Sequence, residues 1–89
     1  MARRLVVHGR VQGVNFRNAT RQTARHHGAS GWVRNRADGA VEAHLEGPPD
    51  AVEALEAWIV TGGPPAAEIS HVDAEDVEAE GLDRFEVRR

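Results

Sequence analysis

Residues 8–17 read His-Gly-Arg-Val-Gln-Gly-Val-Asn-Phe-Arg, and this stretch marks the passage from a first strand to a first helix. Because glycine lets the chain turn tightly, backbone N–H groups around Gly9 and Gly13 are predicted to converge on one anion. The following helix directs its unpaired N–H groups and its positive dipole end to the same place. Arg17 lies in the first turn of that helix, where its guanidinium can bind two phosphate oxygens at once. The stretch therefore predicts an anion site at a strand–helix junction.

The segments next to this junction predict three strands and a helix. Leu5–Val11 alternates between apolar and polar residues as a strand does. In the helix that follows, Asn15 is expected to be the N-cap and Gly28 to end the helix. Ser30–Arg36 and Ala40–Gly47 are then predicted to pair as a hairpin, because the Asp-Gly dipeptide between them is a strong turn signal. In the second hairpin strand the apolar residues are expected to face inward and the polar ones outward: Val41, Ala43 and Leu45 against Glu42, His44 and Glu46.

A second helix is predicted where Pro48-Pro49-Asp50 opens an amphipathic segment. A capping box is expected between Asp50 and Glu53, and the Gly- and Pro-rich residues 61–65 end the helix. Ile69–Val77 then predicts another strand, and a short last strand is expected around residues 85–87.

The order strand, helix, strand, strand, helix, strand is the split βαβ arrangement, in which two helices cover one face of an antiparallel sheet. The predicted fold is therefore α+β and ferredoxin-like (βαββαβ). A chain of 89 residues has room for one hydrophobic core, so residues 1–89 are expected to form a single domain.

Composition excludes several classes of function. The chain has no cysteine, so disulfides, a thiolate nucleophile and a thiolate metal site are all impossible. Its apolar runs are far shorter than the roughly 20 residues of a membrane span, and no apolar signal region follows the first residues. A cytoplasmic protein without a membrane partner is expected, and a monomer is the simplest oligomeric state.

Charge is divided unevenly along the chain. Residues 1–36 hold eight arginines and no acid, whereas residues 37–89 hold three arginines and fourteen acids, so the two parts carry +8 and −11 and sum to −3. A fold that kept these parts separate would have a positive face that attracts small anions. Arg3, Arg21 and Arg25 are expected to be solvated surface charges.

A second block, residues 31–47, reads G-W-V-R-N-R-A-D-G-A-V-E-A-H-L-E-G, and with the first block it resembles the two signature sequences of the acylphosphatase family. The matching residues are Val11, Gln12, Gly13, Val14, Phe16 and Arg17 in the first block, and Gly31, Trp32, Val33, Arg34, Asn35, Gly39, Val41 and Gly47 in the second. Asn15 departs from the family, in which glycine or a bulky apolar residue is frequent at this position. A further likeness through Gly63, Pro64, Ala67, Ile69 and Val72 extends over nearly the whole chain.

The resemblance implies an enzyme that hydrolyses the carboxyl–phosphate bond of acyl phosphates, giving a carboxylate and inorganic phosphate without a metal or cofactor. In this family pattern Arg17 holds the phosphoryl group and Asn35 positions the attacking water. The loop backbone completes the phosphate site, through Val11, Gln12, Gly13, Val14, Asn15 and Phe16. The chemistry is consistent with the residues present, because a carboxylate leaving group with a pKa of about 4 needs no general acid to expel it.

Other readings of the same residues remain open. Arg17 can be an ordinary helix-surface arginine, and Asn35 can simply begin a turn. His8 is expected to be a half-exposed strand residue, and His26-His27 a helix C-terminal pair that interacts with the dipole rather than with a metal.

Two other functions are weighed on the same fold. One is a non-catalytic module that binds phosphate or an acyl phosphate, as in domains of larger proteins. The free enzyme is expected instead, because both Arg17 and Asn35 are present and the chain ends at Arg89. The other is an RNA-binding sheet, which the net negative charge and the absence of tyrosine disfavour, so no nucleic-acid partner is expected.

Overall fold

The computed structural model describes residues 1–89 as five strands and two helices, which build one sheet in the order β4-β1-β3-β2-β5. The strands β1 to β4 pair with one another in antiparallel orientation and confirm the predicted ferredoxin-like βαββαβ fold. β5 is added at the far edge, parallel to β2, so the complete sheet is mixed. The elements are β1 (Ala2–Arg10), α1 (Phe16–His27), β2 (Ser30–Asn35), β3 (Val41–Glu46), α2 (Pro49–Val60), β4 (Glu68–Asp76) and β5 (Phe85–Arg88).

The hydrophobic core lies between the two helices and one face of the sheet. Full burial of a Val, Leu, Ile or Phe side chain stabilises a fold by about 1.5–3 kcal/mol, and without disulfides this packing holds the molecule together. To this core the sheet contributes Leu5, Val7, Val33, Val41, Ala43, Leu45 and Phe85, and the helices contribute Phe16, Ala24, Ala51, Val52, Leu55 and Ile59.

Neither helix is long and apolar enough to cross a membrane.

The ends of α1 differ in how closely they follow the sequence prediction. Gly28 ends the helix in a left-handed conformation, as predicted, and the N–H of Ala29 donates to the carbonyl of Ala24. Asn15 occupies the N-cap position, but its side chain makes no capping hydrogen bond. It adopts the left-handed conformation instead, with φ of 64°, a region in which asparagine is tolerated better than most residues.

The predicted capping box of α2 is wrong. Pro48 is the N-cap residue and Pro49 the first helical residue, so Asp50 lies inside the first turn and no side chain caps the helix. Proline at the start of a helix loses no hydrogen bond, because the first N–H groups have no partner within the helix. Asp50 still lies where its negative charge interacts favourably with the helix dipole.

β1 contains a bulge at Gly9, and this glycine has a different role from the one that the sequence predicts. The register between β1 and β4 shifts between His8 and Gly9. A Cβ atom at Gly9, whose φ is 127°, would lie 2.2 Å from the backbone oxygen of Glu68. Gly9 therefore allows close contact between two strands, and the expectation that it shapes the anion loop is wrong.

The polar face of β3 is buried, although the sequence pattern predicted an exposed one. Glu42 accepts hydrogen bonds from Arg4 Nε at 2.6 Å and from Arg34 Nη2 at 2.5 Å. Burial alone would raise the pKa of Glu42, but the two guanidinium groups outweigh it and lower the pKa. A central strand has neighbours on both sides, and their long side chains cover its outer face.

Glu46 is buried on the same face, and its carboxylate has different hydrogen-bond partners from that of Glu42. Burial would again raise its pKa, but the backbone N–H groups of Glu80 and Leu82 and the His44 ring outweigh it, so the pKa of Glu46 is lowered. His44 Nε2 lies 2.7 Å from Glu46 Oε1, and Trp32 stacks on the His44 ring with centroids 5.9 Å apart.

The basic and acidic parts of the chain interleave, so no large positive face forms. β1, from the basic part, lies between β3 and β4, from the acidic part. Arg3 donates to Glu56 and to Asp76, and only 22% of its side chain is exposed. Its expected role as a solvated surface charge is therefore wrong, whereas Arg25 is exposed as predicted.

Candidate active site

A cleft opens where α1 begins, beside the end of β2. Its volume is about 250 Å³, slightly below the roughly 300–1,000 Å³ of pockets that take drug-sized ligands, so it suits a small molecule. The lining residues are Val11, Gly13, Asn15, Phe16, Arg17, Asn18, Arg21, Asn35 and Val87.

The loop before α1 is shaped by two residues in the left-handed region of conformation. Gly13 has φ of 75° and Asn15 has φ of 64°. A side chain at Gly13 would meet nothing within 4 Å, so this position needs glycine for its backbone conformation and not for space. The first intrahelical hydrogen bond runs from the N–H of Ala19 to the carbonyl of Asn15. The N–H groups of the preceding helical residues therefore have no partner in the helix, and these residues, Phe16, Arg17 and Asn18, line the cleft.

The charge of the cleft comes from arginines alone. Arg17 and Arg21 line it, and no acidic residue does. Arg17 Nη1 lies 3.5 Å from the backbone oxygen of Arg88, at the limit of a hydrogen bond, so its other donors are open to a ligand. Two guanidinium groups beside a helix N-terminus make the cleft locally positive and attractive to an anion.

The sequence predicts Arg21 on the solvated surface, but the structure places it in the cleft. Its Nη2 donates to Asn18 Oδ1 at 2.6 Å, and its Nε is buried without a hydrogen-bond partner. The signal that could have identified it is its spacing, because residues four apart on a helix share one face and Arg21 lies four residues after Arg17.

Asn35 reaches the same cleft from the hairpin. It is the last residue of β2 and pairs with Val41 across the strands. The turn itself is held by Asp38, whose Oδ1 accepts from the N–H of Ala40 at 3.1 Å. This backbone hydrogen bond and Arg36 lower the pKa of Asp38. Since Asp38 supplies the side chain that stabilises the turn, Asn35 is not needed for that purpose, and its side chain lines the cleft.

Gln12 ties the loop to the hairpin. Its side-chain Nε2 donates to the carbonyl of Arg36 at 2.8 Å and to the carbonyl of Ala40 at 3.0 Å. The loop that leads to Arg17 is therefore held directly against the hairpin turn that follows Asn35.

The structure brings together most of the residues that the sequence assigned to the site. Arg17, Asn35, Val11, Gly13, Asn15 and Phe16 all line the cleft. Gln12 and Val14 do not line it. Gln12 makes the link just described, and Val14 packs against the hydrophobic core.

The fold and the cleft define an α+β protein of the ferredoxin-like class with an arginine-lined cleft at a loop–helix junction. The acylphosphatase family model matches residues 3–87, and the chain belongs to the acylphosphatase family. The chain is 53% identical over 83 residues to an acylphosphatase of Natronomonas pharaonis, a match that covers 93% of this chain and 89% of that relative. This chain also matches the crystal structure of acylphosphatase from Bacillus subtilis, with a TM-score of 0.91 and 34% sequence identity. The match covers 99% of this chain and 98% of the Bacillus subtilis chain.

The same fold also occurs within a longer protein. The crystal structure of HypF from Thermococcus kodakarensis matches 97% of this chain with a TM-score of 0.81 and 33% identity. The match covers only 12% of the HypF chain, so there the fold is a small part of the molecule.

Proposed function

We propose that this protein is an acylphosphatase, which hydrolyses the carboxyl–phosphate bond of small acyl phosphates to a carboxylate and inorganic phosphate. The observation that supports this most directly is that Arg17 and Asn35, from two separate signature blocks, line one small positive cleft. Neither residue alone specifies a reaction. Together with the open N–H groups of α1, they supply a binding site for a phosphoryl group and a polar side chain for a water molecule.

In the proposed mechanism the phosphoryl oxygens bind to Arg17 and to the N–H groups at the start of α1. Negative charge spreads over these oxygens in the transition state, and donors already in place stabilise it without reorganising. Arg21 adds a second positive charge to the cleft. The hydrogen bond between Arg21 and Asn18 keeps this guanidinium near the site.

The Asn35 side-chain amide positions a water molecule in line with the bond that breaks. The water oxygen bonds to phosphorus as the bond between phosphorus and the acyl oxygen breaks, and the carboxylate leaves with the electron pair. An amide is not a useful base, so the proton of the water passes to a phosphate oxygen. The leaving carboxylate is a weak base with a pKa of about 4, and the step needs neither a general acid nor a metal ion.

This proposal is tested with benzoyl phosphate as substrate and excess chelator present. We expect rapid turnover by the protein and a fall in kcat of at least about 10² in Asn35→Ala, because the attacking water is no longer positioned. Phosphate affinity should change little in this variant, since Arg17 and the loop are intact. Gln22→Ala, an exposed substitution on α1 that does not touch the cleft, is the matched control.

A second candidate is a domain that binds an acyl phosphate or phosphate without hydrolysing it, because an arginine-lined cleft at a helix N-terminus is sufficient for binding alone. The fold also occurs as a small part of the longer HypF chain. The same experiment separates the two functions. Bound inorganic phosphate without turnover, in both the protein and Asn35→Ala, would favour the binding module and contradict the enzyme.

We further propose that residues 1–89 act as a single cytoplasmic domain and as a monomer, with the acyl phosphate as partner and no nucleic acid or membrane. Two observations support the monomer. The exposed large hydrophobic residues are Met1 and Val60, which line one shallow pocket together with charged side chains and are too few to form a large apolar patch. The edge strand β4 carries four acids, whose charges oppose edge-to-edge pairing with another copy: Glu68, Asp73, Glu75 and Asp76. Sedimentation equilibrium measures the mass directly.

A further inference from the structure

Two histidines and an aspartate meet on the helix-free face of the sheet, outside the cleft. His8 of β1 is paired directly opposite His71 of β4, and Asp73 follows two residues later on the same face. The imidazole rings of His8 and His71 stack, with centroids 4.2 Å apart and an angle of 10° between the ring planes. The reaction proposed above uses none of these three side chains.

The possible ligand atoms of these side chains point to one place. Asp73 Oδ2 lies 3.1 Å from His8 Nε2 and 3.8 Å from His71 Nε2. All three atoms lie within 4.8 Å of one another. Zinc binds nitrogen and oxygen at about 2.0–2.2 Å, so tetrahedral ligand atoms are roughly 3.3 Å apart. Small rotations of exposed side chains bring the observed separations to that value.

We propose that His8, His71 and Asp73 form a binding site for a divalent transition-metal ion such as Zn²⁺. Two imidazoles and a carboxylate are ligands that such ions prefer, whereas Mg²⁺ and Ca²⁺ prefer oxygen. Three protein ligands leave the fourth position of a tetrahedral ion to water. About 60% of the His71 side chain and 70% of the Asp73 side chain are exposed, so an ion can enter from solvent.

The pattern of charges along β4 supports a cation at this place. Asp76 and Glu75, further along the strand, form ion pairs with Arg3 and Arg4. Asp73 has no arginine within ion-pair distance, and its close partners are the two imidazoles. It is therefore an acidic side chain of β4 whose charge an arginine does not neutralise, and a bound metal ion would do so.

The proposal is tested by titrating Co²⁺ into the protein, following its visible absorption, and then displacing it with Zn²⁺. We expect one ion per chain and a low-coordinate Co²⁺ spectrum. His71→Gln and Asp73→Asn should each raise the Kd for Zn²⁺ at least about tenfold, because each removes a direct ligand. Turnover of benzoyl phosphate with chelator present should be unchanged in both variants, which shows that they are folded and that the metal site is independent of the cleft.

The matched control is the double variant His26→Gln and His27→Gln, which removes two exposed histidines of α1. It should bind Zn²⁺ as the unmodified protein does. An unchanged Kd in both His71→Gln and Asp73→Asn would overturn the proposal. Loss of binding in the α1 double variant alone would overturn it as well, because the ion would then lie on the helix.

Discussion

At the scale of single residues, the cleft depends on where one guanidinium lies. Arg17 is the second residue of α1, close to helix N–H groups that have no partner in the helix. Its planar fork can bind two oxygens of one phosphoryl group. The donors of the loop and the helix are fixed by the backbone. Arg17, unlike these backbone donors, can therefore be removed cleanly by a substitution.

We expect Arg17→Ala to abolish measurable binding of inorganic phosphate and to lower kcat/KM for benzoyl phosphate by at least about 10³, since charge and paired donors are lost together. Arg17→Lys should recover little, because an ammonium group cannot make the paired contacts. Calorimetric titration with phosphate measures the binding, and steady-state kinetics measures the turnover.

Arg21→Gln is the comparison for this prediction, because it removes a positive charge from the same helix face and the same cleft. We expect a smaller loss of phosphate affinity than in Arg17→Ala. Undiminished phosphate binding by Arg17→Ala would contradict the role given to Arg17 and transfer it to Arg21.

At the scale of helices and strands, Gln12 links the two segments that supply the site. It holds the loop before α1 to the carbonyl groups of Arg36 and Ala40 on the hairpin. Arg17 and Asn35 are 18 positions apart in the chain, so their separation in space depends on how the loop and the hairpin are joined. The side-chain amide of Gln12 holds the loop and the hairpin together, although Gln12 does not line the cleft itself.

We expect Gln12→Ala to lower kcat by about tenfold or more while the Kd for phosphate changes much less. The reason is that phosphate binds the loop and α1, whereas catalysis also needs Asn35 at the correct distance, and small displacements in a site are costly. Loss of the two hydrogen bonds should also destabilise the fold by about 1–3 kcal/mol. Kinetics, calorimetry and urea unfolding measure the three effects. A destabilised variant with unchanged kcat would show that Gln12 is structural only.

The helices and strands also show what the sequence can and cannot predict. The order of elements, the hairpin turn and the Gly28 helix end follow from local signals, namely alternation, Asp-Gly and glycine. The buried polar face of β3 does not, because Glu42 is covered by arginines from two other strands. Gly9 likewise depends on contact with β4, distant in sequence. At the site, motif matching predicted Arg17 and Asn35, which both line the cleft. Arg21 lies outside both motifs, and its place in the cleft depends on its position one helical turn after Arg17.

At the scale of the whole molecule, a buried carboxylate joins the basic and acidic parts of the chain. Glu42 of β3 binds Arg4 of β1 and Arg34 of β2, so one side chain connects three strands. Only 7% of the Glu42 side chain is exposed, and its pKa is lowered by the two arginines, as that of Glu46 is by backbone donors. A carboxyl group whose pKa is lower in the folded than in the unfolded state stabilises the fold in its ionised form.

The lowered pKa values of Glu42 and Glu46 determine how the stability of the fold depends on pH. Above the unfolded-state pKa of glutamate, about 4.3, the stabilisation by Glu42 and Glu46 is fully present. It is lost as the pH falls through their lower folded-state pKa values, because the unfolded chain then binds more protons than the folded one. We expect the free energy of unfolding to be nearly constant from about pH 7 to 5 and to fall steeply below about pH 4.

Glu42→Gln tests whether this carboxylate contributes to that slope. The variant should lose about 1–3 kcal/mol at pH 7, since two charge-assisted hydrogen bonds are weakened, and its stability should fall less steeply in acid. Urea unfolding at pH 7, 4 and 3 gives both quantities. Glu78→Gln, at an exposed residue without an ion pair, should reproduce the unmodified curve. Parallel curves for Glu42→Gln and the unmodified protein would mean that the acid sensitivity arises elsewhere, with Glu46 and its backbone donors as the next group to test.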